Sequence, residues 1–300
     1  MKVTIVIRVL NEKDNLYKLL QLLEKQLGVT FEIVIIDSGS TDGTLEMLKN
    51  YEFKFPKILT DIKKEEFSFG RSLNKGIEKS TYKEIIISLS AHCFPTDNYY
   101  LFNMSKNFDH EKKGLVFSRQ IGESKSPLSE VNHLNNWFPI NNFSPGIFCN
   151  NGSSAFRYSD WEKIKFDEKV SGCEDILFAL ELKNKGKDTI YEPKAIVSHY
   201  HDENFKTVFN RYRRESKLIK SLFNYKIKLR TLFLSIFREV YSDLKYRKNF
   251  HFPRSSLFQI LLYRTAKNFG QYVAKVDYRN FNLQIDQDVK TKLTNHYYYK

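Results

Sequence analysis

Val3-Thr4-Ile5-Val6-Ile7-Arg8-Val9, Ile33-Val34-Ile35-Ile36 and Ile85-Ile86-Ile87-Ser88-Leu89 are short runs, rich in β-branched residues and apolar at almost every position. Runs apolar on both faces predict central strands of a parallel sheet covered by helices on either side. Between the first two lie residues 14–27, where Leu16, Leu19, Leu20 and Leu23 recur at helical spacing. The chain therefore opens as a βαβ unit. Helices are expected again at 44–51, 71–80, 98–108 and 175–185, the last ended by Gly186, and strands at 114–118 and 195–199. The expected fold class is α/β, a mostly parallel sheet flanked by helices.

An open parallel sheet binds ligands beyond the carboxyl ends of its strands. Asp37-Ser38-Gly39-Ser40-Thr41-Asp42-Gly43-Thr44 follows the second run, and Ser90-Ala91-His92-Cys93-Phe94-Pro95 follows the third. Asp37 can accept hydrogen bonds from the base or ribose of a nucleotide, or cap its own loop. Asp42 reads as a cap or turn residue before the helix at 44. Asn150-Asn151-Gly152-Ser153-Ser154-Ala155-Phe156-Arg157 reads as a loop whose glycine permits close backbone approach. Glu174-Asp175 opens a helix, where acids satisfy the dipole or supply a general base.

The charge is unevenly placed. From residue 204 on, 21 lysines and arginines face 6 aspartates and glutamates, whereas the preceding 203 residues carry 27 and 29. This predicts a near-neutral domain at 1–203 and a basic helical region at 204–300. In that region Leu229, Leu232, Phe233, Ile236, Phe237, Val240, Tyr241 and Leu244 form a helical stripe amid Lys226, Lys228, Arg230, Arg238, Lys245, Arg247 and Lys248. Such a helix suits an anionic membrane surface, and no nucleic acid is expected; the same stripe is also expected to pack on the near-neutral domain. Tyr297-Tyr298-Tyr299 reads as a frayed end. Cys93, Cys149 and Cys173 lack CxxC spacing and read as small buried hydrophobes in a reducing compartment. No leader and no membrane-spanning run is expected, which predicts a cytoplasmic protein.

Five segments, in order, resemble the family 2 glycosyltransferases of GT-A fold. They are Ile5-Val6-Ile7-Arg8-Val9-Leu10-Asn11-Glu12; Val34 through Thr44; Phe69-Gly70-Arg71-Ser72-Leu73-Asn74-Lys75-Gly76; Gly172-Cys173-Glu174-Asp175; and Val197-Ser198-His199-Tyr200-His201. The resemblance covers residues 1 to about 214. It implies a GT-A fold, a nucleotide-sugar donor, a glycan or lipid-linked hydroxyl acceptor, and inverting transfer. It implies donor contacts from Asn11, Glu12, Asp37, Arg71, Asn74, Ser90, His92, Asn151 and Arg214. Asp175 matches the final acid of the family's xED motif and is the implied base, with Glu174 its alternative or partner. Arg211, Arg213 and Arg214 follow the histidine motif, where the resemblance implies basic residues near the leaving diphosphate, or they line a solvated helix face.

The departure lies at the diphosphate, where the family's DxD motif is replaced by Ser90-Ala91-His92. Imidazole suits Mn²⁺ better than Mg²⁺, so a metal on His92 with His199 or His201 would be Mn²⁺ by preference. Cationic side chains could instead neutralise the diphosphate without metal, or the protein could be an inactive carbohydrate- or nucleotide-binding relative. A sugar nucleotidyltransferase would need a glycine-rich first loop, and Arg8-Val9-Leu10-Asn11-Glu12 has no glycine. The resemblance and the Lys-, Asn- and Tyr-rich composition imply bacterial surface-polysaccharide synthesis (capsule or lipopolysaccharide), at the inner face of the cell membrane.

Overall fold

The computed structural model describes residues 1–123, 125–141, 148–201, 203–223, 226–250 and 256–276, with backbone alone at 249 and 250. The expected terminal fraying at 297–299 lies outside the described residues. The first half of the sheet is β1 (Lys2–Val9), β2 (Thr30–Asp37), β3 (Lys57–Asp61) and β4 (Ile85–Leu89), paired in parallel in the order β3-β2-β1-β4. Ile5, Val6, Ile7, Ile33 and Val34 are fully buried, the consequence of covering both faces. α1 (Lys13–Leu23) buries the four predicted leucines and shields one face.

β5 (Cys93–Pro95), β6 (Lys113–Gly122), β7 (Ser153–Arg157) and β8 (Asp188–His199) extend the sheet to β3-β2-β1-β4-β7-β6-β8-β5. Here β4–β7, β6–β7 and β5–β8 pair antiparallel. The predicted strands at 114–118 and 195–199 are parts of β6 and β8. The loop expected at 150–157 is corrected: only its first residues turn, and Ser153–Arg157 is strand β7. Its buried serines disguised it, and each is satisfied internally. Ser118 Oγ donates to Ser153 Oγ, and Ser154 Oγ donates to Asn151 Oδ1.

The remaining helices of this part are α2 (Thr44–Asn50), α3 (Phe69–Glu78), α4 (Tyr100–Ser105), α6 (Tyr158–Ile164) and α7 (Glu174–Asn184), with α5 (Leu128–Trp137) between β6 and β7 in the chain. Gly186, at φ +75°, ends α7 as expected. Lys187 N donates to Leu182 O and Gly186 N to Lys183 O, a Schellman closure.

The described residues form two compact units. One comprises Met1–Ile121, Phe138–Val170 and Glu174–His199 and contains the sheet. The other comprises Gly122–Trp137, Ser171–Cys173 and the described residues from Tyr200 on, so α5 joins the C-terminal helices, whereas the sequence places the division at 203/204. These helices are α8 (Phe205–Phe223), α9 (Leu229–Phe250) and α10 (Leu257–Val273). Within this unit Arg264 of α10 binds the fully buried Asp243 of α9 through two nitrogens, and also donates to Ser129 O of α5. Removing Arg264 would leave the Asp243 carboxylate buried without its ion-pair partner.

Candidate active site

The site is built where β1, β2 and β4 end, beside the turn before β7 and the start of α7. The register that pairs Val9 with Asp37 brings the loops after β1 and β2 together. Asn11, at φ 56°, donates its N–H to Ser40 Oγ and accepts the Thr41 N–H on Oδ1. Asp42 accepts the N–H groups of both Lys13 and Thr44, so the expected cap serves the starts of two helices. Asp37 is buried and divided in its roles. Its Oδ2 accepts from Gly39 and Ser40 N–H, while Oδ1 is buried with no hydrogen-bond partner among the described residues. A buried carboxylate oxygen without a donor is costly, and a ligand hydroxyl or N–H would satisfy it.

Glu12 accepts from Asn15 Nδ2 on one oxygen and contacts His92 Nδ1 at 2.8 Å with the other. Burial alone would raise the Glu12 pKa, but the hydrogen bond and charge of His92 outweigh it and hold the carboxyl below its ordinary value. Ser90 N donates to Gly152 O, which ties the turn carrying His92 to the turn before β7. The His92 ring stacks on that of His199, centroids 5.3 Å apart, and His199 Nδ1 lies 2.7 Å from Gln120 Oε1. With Nδ1–H donating to an oxygen, either ring, when neutral, places its lone pair on Nε2, the tautomer of a metal-ligating histidine. The donor set therefore fits a metal of borderline softness better than Mg²⁺.

Asn151 is the hub of the acidic motif. Its N–H donates to Asp175 Oδ2 and its Nδ2 to Glu174 Oε1. Asp175 Oδ1 also accepts the Ile176 N–H. Glu174 is buried and lies 3.6 Å from Arg8 Nη1, which itself donates to Phe69 O. Asp175 is the more accessible acid. Neither Arg8 nor Gln120 was a site residue on sequence; the available signal for Arg8 was a cation at the end of an otherwise apolar strand.

Two of the predicted donor contacts, Asn74 and Arg71, are engaged within the fold. Asn74 is buried and saturated: Nδ2 donates to Phe166 O and Glu168, and Oδ1 accepts from Trp161 Nε1 and Phe166 N. Arg71 pairs with Glu168 at 2.9 Å. A Cβ at Gly70 would lie 2.1 Å from Asp167 O, and one at Gly76 2.4 Å from Ile36 Cδ1. The segment from Phe69 to Gly76 thus serves to seat α3. In the second unit, His201 Nδ1 lies 2.6 Å from Glu130 Oε1, and Arg211 pairs with Glu203. Burial pushes the Glu203 carboxyl above its ordinary value despite Arg211. Arg214 passes over Gly172, with its Cγ and Nε 3.3 Å from where a Cβ would stand.

The profile of glycosyl transferase family 2 matches residues 4–164. The O-antigen chain rhamnosyltransferase RfbN of Salmonella typhimurium is 23% identical over 227 residues, 71% of this chain and 70% of that protein. The O-antigen chain rhamnosyltransferase WbaN of Salmonella anatum is 24% identical over 208 residues, 63% of this chain and 62% of its own length. Among solved structures, the mannosyltransferase PcManGT of Pyrobaculum calidifontis, in complex with GDP-Man and Mn²⁺, superposes with a TM-score of 0.62 at 16% identity, covering 90% of this chain and 84% of that one. S. aureus TarS 1–349 in complex with UDP gives 0.55 at 16% identity, covering 96% and 97%. At these identities the structures speak for the fold, and the fold is GT-A.

Proposed function

The chain belongs to glycosyl transferase family 2, and from that premise we propose an inverting transfer of a sugar from a nucleotide-sugar donor to a hydroxyl acceptor in bacterial surface-polysaccharide synthesis. The O-antigen rhamnosyltransferases support the setting and make a deoxyhexose donor the first to try. The observation that carries the chemistry is the division of labour at the start of α7. Glu174 is pinned by Arg8 and Asn151, while Asp175 is aimed by two backbone N–H groups and is more accessible.

In this reading Asp175 takes the proton of the acceptor hydroxyl as its oxygen bonds to the anomeric carbon. The bond from that carbon to the diphosphate breaks on the opposite face, and the nucleoside diphosphate leaves with the electron pair. Glu174 positions Asn151, and through it the N–H that holds Asp175. Asp37 Oδ1 accepts from the nucleoside. His92 and His199 would hold a divalent metal, aligned by Glu12 and Gln120; when bound, it neutralises charge on the departing diphosphate. The solved relative with GDP-Man and Mn²⁺ supports a metal of that kind.

A thermal-shift panel of nucleotides and nucleotide sugars, with and without Mn²⁺, tests donor binding. Release of nucleoside diphosphate by the stabilising donor then tests turnover. A donor that stabilises the protein yet is never hydrolysed or transferred, across acceptors and metals, would replace this reading by a carbohydrate- or nucleotide-binding role.

A further inference from the structure

Helix α9 is amphipathic, but most of its apolar stripe does not pack. Leu232 is buried, whereas Phe233, Phe237 and Tyr241 are 64%, 72% and 65% exposed, with Leu229, Leu234 and Leu244 exposed beside them. Exposed cations flank this face: Arg230, Arg238, Lys245 and Lys248. The two acids of α9, Glu239 and Asp243, are turned inward, where Glu239 binds Arg264 and Lys267 and Asp243 binds Arg264. The helix has therefore sorted its charges, placing anions against the cations of α10 and showing only cations outside.

We propose that this outer face of α9 docks on an anionic lipid bilayer, lying in the interfacial plane. Phenylalanines and leucines at the centre would enter the acyl boundary while arginines and lysines on the flanks meet headgroup phosphates. Among the described residues no helix is long and apolar enough to cross a membrane, so the helix rests on the surface. Charge complementarity selects the occupant. A second copy of this chain would bring Arg238 and Lys245 against like charges. A nucleic acid would leave the central leucines without an apolar partner. The inference concerns a surface of the second unit and does not depend on the assignment of Asp175, Asp37 or the histidines.

The test is co-sedimentation of the full chain with phosphatidylcholine vesicles, with or without phosphatidylglycerol, at low and high salt. Binding is expected only to the anionic vesicles and is expected to weaken as salt rises. F233S/F237S, which loses the inserted aromatics, and R238E/K245E, which reverses two charges, should each lower partitioning by roughly tenfold or more. All four side chains are exposed, so helicity by circular dichroism should be unchanged. Absence of vesicle binding by the parent at low salt overturns the proposal, as does parent-like binding by both variants. A parent dimer that F233S/F237S converts to monomer without affecting vesicle binding also overturns it, in favour of a self-contact. Tighter binding to a single-stranded oligonucleotide than to anionic vesicles, lost in both variants, overturns it in favour of nucleic acid.

Discussion

Replacing Asp175 by Asn tests the proposed chemistry where two effects have different sizes and different readouts. Asp175 spends one oxygen on the Asn151 N–H at 2.9 Å and the other on the Ile176 N–H at 2.9 Å. An asparagine offers a single oxygen, so one backbone N–H must face an amide NH₂ or rotate away from it. Losing one charge-assisted bond costs about 1–3 kcal/mol of stability, which chemical denaturation of the intact chain reads directly. The chemical step should lose far more in rate, because the amide cannot accept the hydroxyl proton. A general base contributes roughly 10²–10⁴-fold, or about 2.7 kcal/mol and upward in the barrier. The assay is nucleoside diphosphate release at saturating donor, with donor affinity measured separately. The expected outcome is a fall in kcat of about 10² or more with donor Kd nearly unchanged. Glu174→Gln should fall less, since it keeps a side-chain oxygen for Asn151. A folded Asp175→Asn enzyme with parental kcat refutes the assignment, and an inactive Glu174→Gln beside an active Asp175→Asn moves the base to Glu174.

Asp37→Asn should weaken nucleotide binding by roughly tenfold or more, the effect of losing a charged acceptor, and unchanged calorimetric affinity would show that Asp37 only braces its loop. Glu12→Gln should weaken Mn²⁺ binding, read by titration without substrate, because the carboxylate that fixes the His92 ring is gone; if neither this change nor a chelator alters activity, a cationic clamp replaces the metal. Metal-supported activity should fall with falling pH, since a ligating imidazole must be neutral. Glu12 contributes differently: its folded pKa is lowered, so its stabilisation is present above the ordinary value of 4.5 and is lost as pH falls through the lowered one. Mn²⁺ affinity lost well above 4.5 while the protein stays folded therefore reports the metal ligands, and a pH-independent affinity would remove them from the mechanism. Gly70→Ala should destabilise by about 2–3 kcal/mol despite the better helix propensity of alanine, because the Cβ meets a backbone oxygen at 2.1 Å that cannot swing away; an unchanged unfolding midpoint would contradict the close approach.

The apolar runs at β1, β2 and β4 and the leucine spacing of α1 determined the fold class, because burial on both faces leaves a mark at nearly every position. The glycine after α7 was legible for a similarly local reason, since only a left-handed residue closes that turn cheaply. β3 shows only alternating, half-exposed character and β5 only three residues, so neither stood out. β7 hid behind serines whose burial makes sense only once their partners are in place.

At the site, the order of motifs pointed to Asp37, Glu174 and Asp175, but roles depended on contacts between residues far apart in the chain. Asn74 looked like a donor ligand and proved to be saturated by Trp161, Phe166 and Glu168. His92 looked like an anomaly at a metal position, and it gained a physical reading from Glu12, eighty residues away. The stripe on α9 was plain in the sequence, and helical periodicity alone could not say which side would be covered. Only the tertiary structure decided that, by drawing Glu239 and Asp243 inward to Arg264 and Lys267 and leaving the aromatic, cationic face outside. Periodicity is a local property of the backbone, whereas pairing a buried charge depends on which distant residue the fold delivers beside it.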